Sequence, residues 1–325
     1  MKEIKKYTDI IRYGKTCTEG VIQQGDYISI TEKIDGANSS FRVDNTNKDG
    51  VSCYSRNRPL DSSNTLSGFY NWVQEHITPI KDKLNPDYIY YGEWLVKHKV
   101  QYKEEFMKNF YMFSIWDIKK EQYLDDDIVI SEAKRLGLNT VPYKYRGEYI
   151  SFSHMMSFVG KSEMTIEPNT GEGVVVKNVK YFDRNGKQMF VKLVSNKFAE
   201  VQKQKLPKNP NVDNKLKSIV MTVLTKPRVE KIIYKLVDEE ILPKDYNIEN
   251  MSLILRSLGN KVYEDIIKEE SDIFSEYDQD MVKKCVGKNT PQIVKEILKE
   301  QGRMWLNKNI ILIERNVFYV TRNGA

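Results

Sequence analysis

The sequence has 325 residues, of which 40% are hydrophobic and 30% are charged, and its formal net charge is +6. This length accommodates two folded domains with buried cores. No run approaches the ~18 apolar residues of a membrane helix, and the N-terminus lacks the pattern of a signal peptide, so we expect neither feature.

The cysteines and histidines argue against a zinc site. Cys17, Cys53 and Cys285 form no metal or redox motif, and the three histidines show no zinc or Ser-His-Asp pattern with other residues. Reduced thiols favour a cytoplasmic protein, or one in the host cytoplasm if the source is a virus.

The first domain is predicted over residues 1–205 as an antiparallel α+β domain, because several short strands surround two helical segments. In chain order, strands are predicted in YISITEKI, SSFRVDN, GVSCYSRN, YIYYGEWL, FYMFSIWDI, GEGVVVKN and QMFVKLVS. Helices are predicted in LSGFYNWVQEHITPIKDKL and in ISEAKRLGL, the second ended by a glycine. Asn185-Gly186 predicts a hairpin between the last two strands.

The second domain is predicted to be all-α, with four or five helices over residues 215–325, after a proline- and asparagine-rich linker at residues 206–214. Apolar stripes at helical spacing support it, at Leu216, Ile219, Val220 and Val223, at Val229, Ile232, Ile233 and Leu236, and at Ile293, Val294, Ile297 and Leu298. Thr290-Pro291 predicts a helix start. Residues 308–325 are rich in β-formers and predict a short β-like tail.

The segment Glu32-Lys33-Ile34-Asp35-Gly36 at a strand end is the sharpest chemical signal. A lysine becomes a nucleophile only when its amine is neutral, and burial or nearby positive charge lowers its pKa. The glycine permits a sharp turn and a close approach of backbone to a ligand. Attack by Lys33 on a nucleoside triphosphate would give a covalent lysyl-nucleotide.

Further motifs follow in the strands. Gly92-Glu93-Trp94 lies in an aromatic strand, Glu172 and Lys177 lie at the two ends of another, and Lys192 lies in the next. The odd separation of Glu172 and Lys177 would place them on opposite faces of an ideal strand, so a bulge or bend is needed if both reach one pocket.

In this order and spacing, the motifs resemble those of the covalent nucleotidyltransferases, which are polynucleotide ligases and mRNA capping enzymes. The set is most similar to the ATP-dependent RNA ligases of the phage T4 RNA ligase 2 type, which include the trypanosome RNA-editing ligases. The similarity covers residues 1 to about 205 and, in outline, the helical part that follows. It implies an N-terminal adenylyltransferase domain that uses ATP with Mg²⁺ or Mn²⁺ and forms AMP on a lysine.

The resemblance also implies roles for individual residues. Lys33 matches the lysine that takes AMP, Glu32 matches a residue near the adenosine, and Asn38 matches an asparagine of the sealing step. Arg56 matches an arginine near the nucleotide phosphate or the RNA terminus, Glu93 matches the carboxylate that holds the ribose, and Phe113 matches the ring that stacks on adenine. Glu172 matches a carboxylate tied to metal and catalysis, and Lys177 and Lys192 match lysines that contact the phosphates. Each of these residues could instead have a structural role in its strand or loop.

Two positions depart from the family pattern. The last motif usually reads Lys-x-Lys, whereas this chain has Val194 in place of the second lysine, and Lys197 is a possible substitute. Ser114 follows the phenylalanine where the phage enzyme has an acidic residue. The absence of the second lysine puts the efficiency of one adenylyl step in doubt.

The implied activity is RNA repair by a monomer that seals a 3′-hydroxyl to a 5′-phosphate at RNA ends, with a nicked duplex as the expected substrate. The stretch from Lys177 to Lys208 contains nine basic residues and only two acidic ones, Asp183 and Glu200, so it could hold the RNA backbone. The alternatives are a DNA ligase, a GTP-dependent capping guanylyltransferase, or a catalytically weak homologue that binds RNA ends. Helical periodicity after the last motif argues against the first two, which carry an OB barrel there.

Overall fold

The computed structural model describes the backbone of residues 4–195 and 212–322, and the side chains of residues 4–195 and 216–301. The chain divides into two compact units. The first comprises Met1–Phe198 with Asp238–Glu240, and the second comprises Ala199–Val237 with Ile241–Ala325. The predicted mixed α+β class is confirmed, because strands dominate the first unit and helices the second.

The described part of the first unit has eleven strands and three α-helices. The strands are β1 (Ile10–Arg12), β2 (Tyr27–Lys33), β3 (Ala37–Val43), β4 (Val51–Ser55), β5 (Tyr88–Trp94), β6 (Phe110–Asp117), β7 (Gln122–Tyr123), β8 (Asn139–Thr140), β9 (Tyr143–Glu148), β10 (Gly173–Phe182) and β11 (Gln188–Val194). The helices are α1 (Phe69–Trp72), α2 (Asp126–Leu136) and α3 (Phe152–Met156).

These strands form two sheets. The first has the order β1-β11-β10-β2-β9, and the second has the order β4-β3-β5-β6-β7 with β8 beside β6. The pairing is antiparallel, as predicted, except for the short parallel pairs β1–β11 and β6–β8. A cluster that includes Tyr7, Tyr91 and Phe190 joins side chains from both sheets, so the sheets share a core.

Local signals predicted several elements of this unit correctly. The hairpin at Asn185-Gly186 joins β10 to β11, and Gly186 has the positive φ of 70° that such a turn favours. Helix α2 ends at Gly137 in a left-handed conformation. The helical segment after residue 65 is less regular than predicted, since α1 continues as a π-helical turn, Val73–Ile77, and a 3-10 segment, Thr78–Lys83.

The described part of the second unit contains five α-helices, in agreement with the predicted four or five. They are α4 (Val212–Val223), α5 (Lys226–Asp238), α6 (Met251–Leu258), α7 (Lys261–Glu270) and α8 (Gln279–Arg322). The predicted apolar stripes all belong to one core cluster or pack against it.

Two predictions for the second unit were wrong in detail. Thr290-Pro291 does not begin a helix but lies inside α8. The buried positions Val282, Val286, Ile293 and Ile297 keep one apolar stripe in phase across the proline, which explains why the helix continues. The β-like tail is also wrong, because α8 extends to Arg322 and context overrides the weak preference of β-branched residues.

The predicted linker falls mostly outside the described residues. Its residues 206–211 are not described, and its last three residues already belong to α4. The basic residues Lys197, Lys203, Lys205 and Lys208 also lie outside the described part, so the suggestion that Lys197 replaces the missing lysine stays a prediction.

Candidate active site

Lys33 is the last residue of β2, and its side chain is 24% exposed. Strand β10 runs antiparallel to β2 with Gly173 opposite Lys33, so the residue before β10 lies beside the lysine. That residue is Glu172, and Lys33 Nζ lies 2.6 Å from Glu172 Oε2. The two sequence motifs therefore meet as an ion pair.

Glu172 contacts Lys33, and Lys177 lies at the same cavity wall as Lys33, although β10 has no bulge between Gly173 and Lys177. Glu172 precedes the first residue of β10, where the two-residue alternation of a strand no longer fixes the direction of its side chain. Gly173 makes the close pairing of β10 with β11 possible, because a Cβ there would lie 2.1 Å from the carbonyl oxygen of Leu193.

A cavity lies over this part of the first sheet. It contains about 430 Å³ of space, part of it open to solvent. Its walls are formed by Tyr7, Ile10, Thr31, Glu32, Lys33, Ile34, Asn38, Glu93, Phe113, Val141, Val175 and Lys177. Six of the nine predicted site residues therefore converge on one cavity.

Glu93 enters the cavity from the second sheet. It lies opposite Asn38 in the pairing of β3 with β5, and its Oε1 accepts a hydrogen bond of 3.2 Å from the backbone N–H of Gly36. Glycine is required at position 36, since a Cβ there would lie 2.6 Å from the carbonyl oxygen of Trp94 and 3.0 Å from Glu93 Cγ. The turn after Lys33 is thus packed directly on Glu93.

The charges around Lys33 favour its protonated form. Burial alone would lower the pKa of the Lys33 ammonium, but the carboxylates of Glu172 and Glu93 outweigh it and raise that pKa above its ordinary value. Burial raises the pKa of Glu93 to about 7 against the opposing effect of Lys33, and it also raises the pKa of Glu172. The predicted neutral amine is therefore not the form that this arrangement favours.

Phe113 and Lys177 are linked to each other. Phe113 lines the cavity, and Lys177 Nζ donates a hydrogen bond to the carbonyl oxygen of the same residue. Lys177 Nζ also lies 3.1 Å from Oδ1 of Asp126, a residue to which the sequence assigned no function. Asp126 is the middle one of three consecutive aspartates, so the sequence around it did not mark it as a functional residue.

Glu32 also lines the cavity, and its buried carboxylate has an ion pair with Lys144 at 3.0 Å. Lys144, in β9, belongs to none of the sequence motifs. Asp35 fixes a loop next to the site, since its Oδ2 accepts hydrogen bonds from the backbone N–H groups of Lys99 and Val100, each at 3.0 Å. The aspartate of the lysine motif is thus a structural anchor.

Two further predicted site residues have different positions. Lys192 lies opposite Val175 in the β10–β11 pair, and its charge lowers the pKa of Glu172, although burial of Glu172 has the larger, opposite effect. Arg56 forms an ion pair with Asp9 and does not belong to the described lining of the cavity. Geometry thus associates Lys192 with Glu172 and leaves Arg56 apart from the cavity.

The described residues contain no group of three or more His, Cys, Asp or Glu side chains arranged to hold a metal ion. Among the described helices, none is long and apolar enough to cross a membrane.

Comparison with known proteins identifies one family. A sequence model of the family described as RNA ligase matches residues 26–194. No protein with a curated description matches the chain. The structure of Naegleria gruberi RNA ligase with PPi is similar, at 22% identity over 60% of this chain and 57% of that chain, with a TM-score of 0.47.

Two variants of the Naegleria gruberi ligase give similar values. A lysine-to-alanine mutant with ATP and Mn and a lysine-to-methionine mutant with AMP and Mn are each 22% identical, with a TM-score of 0.46 and the same coverage. The matched region spans 57% of the length of these solved chains.

Proposed function

This chain belongs to the RNA ligase family, and on that premise we propose that it is an ATP-dependent RNA ligase. It joins a 3′-hydroxyl to a 5′-phosphate through a covalent lysyl-AMP. The observation that supports this proposal most directly is Lys33 Nζ at a cavity wall, 2.6 Å from Glu172 Oε2, with Glu93, Phe113 and Lys177 lining the same cavity.

The proposed reaction has three steps. The Lys33 amine attacks the α-phosphorus of ATP, a phosphorus–nitrogen bond forms, and pyrophosphate leaves. The AMP then passes to the 5′-phosphate of an RNA end and frees Lys33. Finally the 3′-hydroxyl attacks that phosphate, the phosphodiester forms, and AMP leaves. The covalent stage divides one difficult reaction into easier ones.

Proton transfer follows from the ion pair. Lys33 begins as an ammonium held by Glu172 and must lose one proton before its lone pair can attack. Glu172 Oε2 is the acceptor within hydrogen-bond reach, and burial raises its pKa, which favours acceptance of a proton. Glu172 is therefore proposed as the base of the first step.

The nucleotide is proposed to lie along the cavity. Phe113 stacks on the adenine, Glu32 lies near the adenosine, and Glu93 accepts hydrogen bonds from the ribose hydroxyls. Lys177 and Lys192 contact the phosphates, whose developing charge needs fixed cations. Asn38 acts in the sealing step, and Arg56, outside the cavity lining, contacts the RNA terminus.

A divalent cation, Mg²⁺ or Mn²⁺, fits at Glu172. Mg²⁺ commonly takes one or two protein carboxylates and completes its shell with phosphate oxygens and water, so one glutamate beside the phosphate site is an adequate donor. When bound, the cation would neutralise charge on the phosphates.

RNA ends are the proposed substrate, with a nicked duplex as the preferred form and the protein acting as a monomer in RNA repair. Proteins that bind A-form RNA contact phosphates and 2′-hydroxyls across its wide minor groove. Within the basic stretch from Lys177 to Lys208, the exposed residues Lys180, Arg184 and Lys187 would contact the RNA backbone, so binding should weaken as salt increases.

Labelling with α-³²P-ATP tests the first step. We expect covalent label on the wild-type protein and none on Lys33→Met, with Lys161→Met, an exposed lysine of the same unit, as the matched control. Label from GTP and not from ATP would indicate a capping guanylyltransferase instead. Absence of label from both nucleotides, with RNA ends still bound, would indicate an end-binding homologue.

Ligation of nicked duplexes tests the substrate. Duplexes with RNA or DNA on each side of the nick separate an RNA ligase from a DNA ligase. We expect sealing when the 3′-hydroxyl strand is RNA. Sealing of an all-DNA nick with equal rate would contradict the assignment.

A further inference from the structure

Asp126 is a buried carboxylate next to the proposed nucleotide cavity. It begins α2 and is 7% exposed. Its Oδ1 lies 3.1 Å from Lys177 Nζ, and its Oδ2 accepts a hydrogen bond from the hydroxyl of Ser29. Both carboxylate oxygens are therefore held by side chains of the first sheet.

Lys177 needs such a partner, because it is 3% exposed and a buried ammonium without a counter-charge is costly. Among the described residues, Asp126 is the carboxylate that forms an ion pair with Lys177. The position of Asp126 in the first turn of α2 also suits a carboxylate, since the N-terminal end of a helix carries partial positive charge.

The donors of Lys177 are nearly all accounted for. A lysine ammonium has three N–H donors. One is used by the carbonyl oxygen of Phe113 and one by Asp126, and the side chain lines the cavity. The two fixed contacts leave one donor for a ligand and set its direction.

The same contacts connect Lys177 to the aromatic ring. Because Lys177 Nζ bonds to the backbone of Phe113, the ammonium lies next to this second residue of the cavity wall. A ligand with a flat base and an anionic group would meet both at once. Asp126 is not part of the described lining, and of the two side chains that hold its carboxylate, Ser29 and Lys177, it is Lys177 that lines the cavity.

We propose that Asp126 is a positioning residue for the nucleotide, which holds Lys177 so that its remaining N–H points into the cavity. This inference rests on the proposed function, since the nucleotide is ATP. Asp126 itself does not contact the nucleotide.

A double-mutant cycle on nucleotide binding tests the proposal. Isothermal titration of the full chain with α,β-methylene-ATP and Mg²⁺ measures Kd without cleavage. Asp126→Asn should weaken binding by about tenfold, and Lys177→Met by at least as much. The double variant should bind no more weakly than Lys177→Met alone, because Asp126 acts only through that lysine.

Controls separate this role from a structural one. Asp127→Asn changes the exposed neighbour on the same helical turn and should leave Kd unchanged. The Asp126→Asn/Lys177→Met variant replaces both charges, which avoids a buried unpaired ion and should preserve the melting temperature. Asp126→Glu, which keeps the charge with a different reach, is a second variant and should weaken binding only while Lys177 is present.

The outcomes are distinguishable. Additive losses in the double variant, or wild-type affinity in both Asp126 variants, would overturn the role of Asp126 while ATP labelling of the wild type still supports a ligase. If Lys177→Met binds as tightly as the wild type, the positioning role is also wrong. Failure of the wild type to take label from ATP removes the ligase proposal itself.

Discussion

Lys33 Nζ and Glu172 Oε2 lie 2.6 Å apart, so the proposed nucleophile is positioned by the same carboxylate that keeps it protonated. The carboxylates around Lys33 raise its pKa even though burial acts in the opposite direction. The arrangement therefore orders the lysine at the cavity but favours its unreactive form. Activation must include neutralisation of Glu172, by a proton or by a cation.

This relationship predicts opposite effects of Glu172→Gln on two reactions. The substitution removes a negative charge from Lys33, so the pKa of the amine should fall and its reaction with an acylating reagent at pH 8 should accelerate, by about tenfold for each unit of pKa. Lysyl-AMP formation should instead fall severely, because base and cation donor are lost. Mass spectrometry of the Lys33 peptide measures both reactions.

Glu105→Gln, at an exposed position, is the matched control and should change neither rate. Slower acylation of Lys33 in Glu172→Gln than in the wild type would show that Glu172 does not raise the pKa of the lysine.

Glu93 gives a prediction about pH and stability. Burial raises its pKa to about 7 in the folded protein, from an ordinary value near 4.5. Between these values the unfolded chain has lost the proton while the folded protein keeps it, so the free energy of unfolding decreases as pH rises. Glu93→Gln, which stays neutral, should therefore melt at a higher temperature than the wild type at pH 8.

The difference in melting temperature should shrink as pH falls and disappear near pH 4.5, where both side chains are neutral. Scanning calorimetry at several pH values makes the comparison. A difference that is constant with pH would mean that Glu93 is ionised in the folded protein as readily as in the unfolded chain. The same variant should form less lysyl-AMP, since the ribose loses a charged acceptor.

Gly36→Ala should damage the site through packing alone. The added Cβ would lie 2.6 Å from the carbonyl oxygen of Trp94 and 3.0 Å from Glu93 Cγ, so the turn or Glu93 must move. We expect a loss of about 1–3 kcal/mol in the free energy of unfolding and weaker ATP binding. Urea unfolding and ATP titration measure the two effects.

Gly287→Ala is a suitable comparison, because no atom lies within 4 Å of the added Cβ and the residue is inside α8. It should stabilise the protein by up to about 1 kcal/mol without changing ATP binding. Equal stability of Gly36→Ala and the wild type would show that the turn has room for a side chain.

Sequence patterns predicted those parts of the site that depend on strand order and residue type. Lys33, Glu93 and Phe113 lie in strands that local periodicity identified, and antiparallel pairing then places them around one cavity. Asp126 was not predicted, because it meets Lys177 from a helix 51 positions away in sequence and belongs to no motif. The raised pKa of Lys33 was also missed, since it depends on distances to carboxylates from other strands.

In the helical unit, too, sequence patterns predicted local features and missed those that depend on a longer part of the chain. Its stripes predicted which faces are buried, because helical periodicity is local. Pro291 and the β-rich tail were misassigned, because both signals are weak preferences that a continuous apolar stripe or a long helix overrides. Continuity of a helix depends on the whole stripe, which a dipeptide signal does not report.

Val194→Lys tests whether the missing second lysine limits the enzyme. Val194 and Lys192 lie two residues apart in β11, so their side chains share one face of the sheet, and Val194 pairs with Gly173 next to Glu172. A lysine there would add positive charge beside the proposed phosphate site. We expect faster lysyl-AMP formation, by about threefold to tenfold, with an effect that diminishes as salt increases.

Val194→Met supplies a side chain of similar length without charge and should leave the rate near that of the wild type. Single-turnover labelling with α-³²P-ATP at low and high salt measures the rates. If Val194→Lys and Val194→Met behave alike, charge at this position does not limit the first step. If Val194→Lys is slower than the wild type, a lysine at position 194 competes with Lys192 for Glu172. Lys192 already acts on Glu172, because its charge lowers the pKa of that carboxyl, although burial has the larger effect and raises it.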